Sequence, residues 1–455
     1  MKNKFKILST ILLLNISILN ASNSISLDDA IQMLKEDNLE IKGATLHVNA
    51  AREEAKTVSG QHWGTLNFIQ DFANSDDAGN VFGFKLTSRE ADFGDFGAEE
   101  FMGNFMAGDP DYDTPPNKLN NPGSRDFFQS KLKYEIPIFT GFKISSYEDM
   151  MNAMTKMKSL EKEQIINEKI YQVRKTFYDM ALLRSSEENL NIILTNIDTL
   201  QEMTSNMIEV GYAKRVDLLE VKAKRGNVRR LISQMESNQK LLYHYLTFLL
   251  NKPITDIQTP SANVAMPIYS DSEILESNLD IQRANNGLEI RKSMLDISQA
   301  AYYPMVGGFA ETATADNTFL GDANDHSSYT VGARLTWNIF NGGIDGSSIE
   351  KSRLDFMKTQ TQVQLAKSGI KLQIAKIRTE IETFENDIIS LEEEFDLANE
   401  IYKNYEGRYR EKLSSMSDVI IKQSVQIEKI LQLQQARNKR NEKIFALEKL
   451  ANGEI

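Results

Sequence analysis

Along residues 329–339, apolar and polar side chains alternate. Tyr329, Val331, Ala333, Leu335, Trp337 and Ile339 fall on one side, and Thr330, Gly332, Arg334, Thr336 and Asn338 on the other. A period of two is the signature of a strand with one apolar face. An earlier stretch repeats it, with Leu132, Tyr134, Ile136 and Ile138 opposing Lys131, Lys133 and Glu135. Less regular alternation predicts two more strands near 65–73 and 305–316. Elsewhere the period lengthens. Ile370, Ile374, Ile377, Ile381, Phe384, Ile388, Leu391, Phe395, Ala398, Tyr402 and Tyr405 recur at steps of four and three. That spacing belongs to coiled-coil rods rather than to a helix lying on a globular core. Val228, Ile232, Met235, Leu242, Leu246 and Leu249 mark a second such helix. Proline is absent between Pro137 and Pro253 and after Pro304, which leaves room for very long helices. A helix over 145–210 would be about 100 Å long.

The chain repeats itself. "IFTGF" at 138–142 returns as "IFNGG" at 339–343, an offset of 201 that also carries Asp217 onto Asp418 and Asn251 onto Asn452. Upstream, "NLEI" at 38–41 matches "NLDI" at 278–281 at an offset of 240. A constant offset over such lengths indicates a duplicated structural unit. The difference, 240 − 201 = 39, places an insert of that size in the first copy, between about 69 and 130. Its Gly, Asp and Pro content reads as a long loop. The expected organisation is a first repeat over 22–252 and a second over 271–455, joined by a linker at 253–270. The first holds strands near 65–73 and 127–139, a loop near 74–125, a long helix at 145–210 and a return helix at 214–250. The second holds strands near 305–316 and 328–340, a long helix at 345–410 and a return helix at 415–450.

Composition narrows the class. Lys2, Lys4 and Lys6 precede an apolar run from Ile7 to Leu19, and Ala21 offers a small residue at a cleavage point, so 1–21 reads as a signal peptide. Cysteine is absent, which excludes disulfides, thiolate metal sites and a lipidated cysteine. Net charge is −12 and mean hydropathy −0.39, a poor match for a nucleic-acid partner, which needs clustered Lys and Arg. No other segment is long enough for a spanning helix, so a membrane role rests on the strands, whose alternation hydropathy averages miss. Four strands are too few for a sandwich core, and something else must cover the apolar face.

No catalytic constellation is visible. His47, His62, His244 and His326 are scattered without metal spacing, and no nucleophile elbow, phosphate loop or dinucleotide fingerprint occurs. We expect no enzyme activity, no metal and no cofactor. The Met151, Met154, Met157 stripe reads as packing rather than copper handling, and "LEEEF" at 391–395 as a solvated helix face. Asp217 and Asp418 begin helix-like segments and are N-cap candidates.

The signal peptide, two copies of strand–loop–strand–long helix–return helix, "IFNGG" at the strand-to-helix joint and "VGYAKRVDLLEVKAK" at a hairpin tip together resemble the TolC-like family of outer membrane efflux proteins. The resemblance covers the chain from about Ser26 to its end. It implies a mainly α protein with a membrane β-barrel, in which each protomer of a homotrimer gives four strands to a twelve-stranded barrel in outer-membrane lipid. The long helices would continue as a tunnel across the periplasm of a Gram-negative cell. Function would be that of a passive exit duct in tripartite efflux or type I secretion, served by a periplasmic membrane-fusion adaptor and an inner-membrane pump. Gly141, Gly342 and Gly343 would let each strand turn into its helix, with Phe142 departing from the Gly pair in the first copy. Asp418, with Asp217 and Lys412, would line the closed periplasmic entrance. Val210, Gly211, Tyr212 and Ala213 in one tip, and Lys412, Leu413, Ser414 and Ser415 in the other, would dock the adaptor. Ile421 and Lys412 depart from the family's pattern of a second aspartate and a tip glycine, which lowers charge density at the mouth. The long first loop is expected to face the exterior rather than occlude the barrel. The competing reading is a periplasmic coiled-coil adaptor or scaffold, with one hairpin flanked by β-rich modules and no barrel.

Overall fold

The computed structural model describes residues 24–261, 264–319, 321 and 325–453; the segment read as a signal peptide, 1–21, lies outside them. In chain order the elements are α1 (Leu27–Asp37), α2 (Leu39–Gly60), β1 (Thr65–Ser75), α3 (Ala78–Thr87), α4 (Ala98–Met106), α5 (Asn117–Asn120) and β2 (Arg125–Phe139). They continue with α6 (Lys143–Glu209), α7 (Arg215–Leu250), α8 (Asp271–Ser277), α9 (Leu279–Gln299), β3 (Met305–Asp316), β4 (Ser327–Thr336), α10 (Ile344–Arg410) and α11 (Met416–Leu450). α6 and α10 are 67 residues each. Among the described residues no helix is long and apolar enough to cross a membrane.

The described residues form two compact units, one within 24–44, 162–279 and 368–453, the other within 45–161 and 280–367. The division cuts across the two repeats, because α6 and α10 each give residues to both units.

The first unit is helical. The 3.5-residue seam is buried where it was expected, at Ile370, Ile374, Ile377, Ile381, Ala398 and Tyr402. Tyr402 and Tyr409 join Leu190, Ile193 and Ile197 of α6, Val221 and Val228 of α7, and Val419 and Ile427 of α11 in one core. A second core gathers α1 (Ala30, Leu34), α6 (Val173, Phe177, Met180) and α7 (Leu246, Leu249, Leu250). Two asparagines explain the upstream repeat. Asn38 is buried at the α1–α2 break, where its side chain accepts from the Ile41 N–H (3.0 Å) and donates to the Leu249 carbonyl (2.8 Å). Asn278 does the same for Leu450 in the second copy (3.0 Å). Each satisfies a carbonyl that a helix end would leave open. Asn251 and Asn452, paired by the 201 offset, both end a return helix with positive φ (51° and 50°), which Asn tolerates better than most residues. Arg174 meets Glu448 at 2.5 Å with both side chains largely buried, and burial raises the Glu448 carboxyl above its usual range.

The second unit carries one antiparallel sheet in the order β1-β2-β3-β4. Its register joins the alternating faces across all four strands. Leu66 pairs with Tyr134, Phe68 with Leu132, Tyr134 with Ala310, and Ala310 with Val331. The other face aligns Asn67, Lys133, Glu311 and Thr330. β4 ends at Thr336 rather than at the expected 340. Its partner β3 begins at Met305, opposite Thr336, so Trp337 and Ile339 continue the alternation without a ladder to join.

Residues 76–124 are not the plain loop that their composition suggested. They hold α3, a 3₁₀ turn at Phe93–Phe96, α4 and α5, tied by Lys85 to Asp95 (2.5 Å) and Lys118 to Glu99 (3.2 Å). Asp77 caps α3, accepting from the Asn80 N–H at 3.0 Å.

Candidate channel surfaces: sheet faces, joints and hairpin tips

The sheet exposes the wrong side for a protein in water. Tyr329 (83% exposed), Val331 (72%) and Leu335 on β4, and Leu66, Phe68 and Phe72 on β1, stand open on the apolar face. The opposite face is charged and hollow. Lys133, Glu135, Glu311, Arg334 and Thr336 line a cleft of about 710 Å³ there, and Lys131 reaches Glu311 at 3.5 Å. Among the described residues, β1 and β4, the outer strands, each have one partner. Open edges next to an uncovered apolar face are what barrel closure in lipid resolves.

Both strand-to-helix joints place two successive residues at positive φ: Gly141 (64°) and Phe142 (66°) in the first copy, Gly342 (70°) and Gly343 (86°) in the second. The two joints therefore share a backbone conformation despite Phe142. A non-glycine residue in the left-handed region costs about 1–3 kcal/mol. Phe142 offsets this by edge contacts with Phe139 (5.4 Å between centroids) and Tyr303 (5.8 Å). Gly141 is fixed by crowding too, since a Cβ there would sit 2.7 Å from the Tyr303 Cβ and 2.9 Å from the Ala300 carbonyl oxygen. At Gly342 nothing lies within 4 Å, and only φ demands glycine.

The hairpin tips repeat one turn. At the end of α6, Tyr212 donates its N–H to the Met207 carbonyl (2.7 Å) and Gly211 donates to Ile208 (3.1 Å). At the end of α10, Leu413 donates to Arg408 (2.8 Å) and Lys412 to Tyr409 (2.9 Å). This is the Schellman pattern, whose residue after the helix is left-handed: Gly211 has φ 83° and Lys412 has φ 63°. Lys412 therefore occupies the glycine's conformation as well as its place in the sequence.

Asp217 and Asp418 are not N-caps. Lys214 and Ser415 hold those positions, and each Asp stands in the third position of its helix and reaches back. The Asp217 carboxylate accepts the Lys214 N–H at 2.8 Å. Asp418 accepts from the Ser415 hydroxyl (2.6 Å) and N–H (3.3 Å), while the Ser415 oxygen accepts the Asp418 N–H (3.2 Å). These bonds from Ser415, with the nearby Lys422 ammonium, hold the Asp418 carboxyl below its usual range. Lys412 turns away from both carboxylates. Its ammonium lies over the Tyr212 ring, and among the described residues it makes no ion pair with Asp217 or Asp418. Asp418 and Ile421 are exposed, as are Val210, Tyr212 and Leu413 at the tips.

Sequence reasoning missed one cluster. Glu90, Asp316 and His326 place ligand atoms within 4.8 Å of one another, although they are far apart in sequence. The cation in contact with Glu90 is the Arg125 guanidinium, so the group reads as an ion pair with a histidine beside it. The methionine stripe does not share one surface: Met151 is buried, Met154 is exposed, and Met157 lies against Gly287.

Residues 272–453 match the family model described as outer membrane efflux protein. Nodulation protein T of Rhizobium leguminosarum bv. viciae is 22% identical over 258 residues, 52% of each chain, so the match spans about half the length of that relative. Among solved structures, CusC superposes with a TM-score of 0.78 at 12% identity, covering 94% of this chain and 92% of its own. The outer membrane protein VceC of Vibrio cholerae gives 0.77 at 14% identity, covering 94% and 96%. The open-state MtrE outer membrane channel of Neisseria gonorrhoeae gives 0.74 at 14%, covering 94% and 89%. The second half of the chain thus resembles the outer membrane efflux proteins over residues 272–453, and the whole chain shares the fold of the solved outer-membrane channels.

Proposed function

We propose that this protein is the outer-membrane channel of a tripartite efflux or type I secretion system in a Gram-negative cell, a passive duct with no chemistry of its own. The observation that carries the reading is the four-stranded sheet, with an apolar face open, a charged face hollow and both edges free. Three copies closing edge to edge would hide the edges, turn the apolar face to lipid and leave the charged face around water. Related channels are trimers that work with adaptors and pumps. A single-hairpin adaptor accounts for neither the second hairpin nor the sheet.

In this reading the tips, Val210 to Ala213 and Lys412 to Ser415, meet the adaptor, and Asp418 with Asp217 sets the charge of the periplasmic entrance. What supports the tips is exposed apolar surface on an ordered turn. What supports Asp418 is a carboxylate exposed and kept ionised at the start of α11. Extraction of the membrane-bound protein in mild detergent tests the duct: a heat-modifiable trimer is expected. A monomer released from membranes by salt alone would instead establish a peripheral scaffold.

A further inference from the structure

The insert between β1 and β2 lies against the charged face of the sheet. α3 packs on β3, where Ala313 and Ala315 are buried, and Val81 of α3 is 1% exposed. Phe84 stacks on Phe127 with ring centroids 4.2 Å apart and planes 10° from parallel. The register fixes which face this is. Phe127 alternates with Gln129, Lys131 and Lys133 along β2, and Lys131 pairs with Ala313 as Lys133 pairs with Glu311. The side that α3 covers is therefore the side that carries Lys131, Lys133 and Glu311. Glu90, just beyond α3, contacts Arg125 and lies close to Asp316 and His326, so the insert is held at the ends of β2, β3 and β4.

Its charge is one-sided. Residues 76–124 contain ten carboxylates and three basic side chains, and Asp109, Asp111 and Asp113 stand together in an exposed turn beside Tyr112. We propose that this insert is an acidic cap seated inside the outer end of the barrel, a second constriction that narrows the duct and favours cationic over anionic solutes. The proposal rests on the duct reading, because it needs the charged face to line water. It replaces the expectation that the insert merely faces the exterior. Carboxylates crowded into a narrow, low-dielectric aperture raise the local concentration of cations and repel anions.

Single-channel recording in planar bilayers tests it with three proteins: wild type, a variant with residues 78–123 replaced by a short Gly-Ser bridge, and a full-length Asp109/Asp111/Asp113→Asn variant. The deletion should raise conductance at least twofold. The triple substitution, which leaves the α3 contacts in place, should shift the reversal potential toward anions and weaken block by hexamminecobalt added on the outer side. Deletion channels with wild-type conductance would overturn the narrowing, and unchanged outer-side block in the triple variant would overturn the selectivity. A wild-type protein that forms no channel at all would remove the duct itself, and the cap with it.

Discussion

The Lys412 ammonium lies 3.4 Å from the centre of the Tyr212 ring, joining the tips of the two helical hairpins. Both residues sit in equivalent turns, Lys412 in the left-handed position and Tyr212 immediately after it. A cation over an exposed ring contributes about 0.5–1 kcal/mol. That is comparable to the roughly 1–2 kcal/mol a side chain costs in a left-handed turn. Lys412→Gly should therefore change thermal stability little, while Tyr212→Ala should lower it by about 0.5–1 kcal/mol. Thermal melts of the purified protein in detergent, with the double variant completing the cycle, separate the two effects.

Gly211→Trp should abolish export while leaving assembly intact. A Cβ there meets no heavy atom within 4 Å, so the substitution starts into open space and its first cost within the fold is its positive φ. Export measured at normal adaptor levels, beside trimer yield, checks this, and full export by the variant would remove the tip from the docking surface.

The pH behaviour of Asp418 follows from Ser415. Because the folded Asp418 carboxyl titrates below its ordinary value, its contribution to the start of α11 is complete above the unfolded value and is lost as pH falls through the folded one. No change is expected between about pH 7 and 5, because that whole range lies above the ordinary aspartate value of roughly 3.9. Ser415→Ala should shift the loss to higher pH and cost about 1 kcal/mol as a removed cap. Hydrogen exchange across the first turn of α11 measures it. Asp418→Ala should weaken block by multivalent cations from the periplasmic side, and unchanged block would place the constriction at another ring.

The sheet makes a sharper demand. Leu335 and Arg334 are neighbours in sequence, yet only Arg334 lines the charged cleft. Cysteine at 334 should react with aqueous reagents and cysteine at 335 should not, in a chain that has no other cysteine. A charge on the apolar face near the bilayer midplane should cost about 2–4 kcal/mol. Labelling at 335 with protection at 334 would reverse the register.

The joints should respond unequally. Gly342→Ala suffers only its backbone angle, about 1–2 kcal/mol, whereas Gly141→Ala adds overlap with Tyr303 and Ala300 and should block assembly. Trimer yield from membranes gives the comparison.

Much of this was legible in the sequence because it depends on periodicity. The seam from Ile370 to Tyr402 and the two sides of β2 and β4 follow from side-chain spacing alone. The position of Asp418 was misread by one element of the cap: it was taken as the N-cap itself, whereas Ser415 three residues ahead caps α11 and Asp418 reaches back to it. The two strained residues were visible only by aligning the repeats, where Phe142 faces Gly343 and Lys412 faces Gly211. The insert was misread because its Gly, Asp and Pro residues outweighed a weaker signal. Phe101, Met102, Phe105 and Met106 recur at helical spacing in α4. Arg125, Glu90, Asp316 and His326 had no signal at all, because only the fold brings them together.

Phe142 and Lys412 also carry a consequence for symmetry. Duplication would give a trimer six near-identical hairpins, and a partner could then engage any of them alike. One tip turns on a bare glycine and the other on a lysine laid across its neighbour's tyrosine. One joint turns on two glycines and the other carries a wedged phenylalanine. A ring built from this chain would alternate between two kinds of hairpin, so six binding partners would occupy two classes of seat, three of each, filled with different affinities.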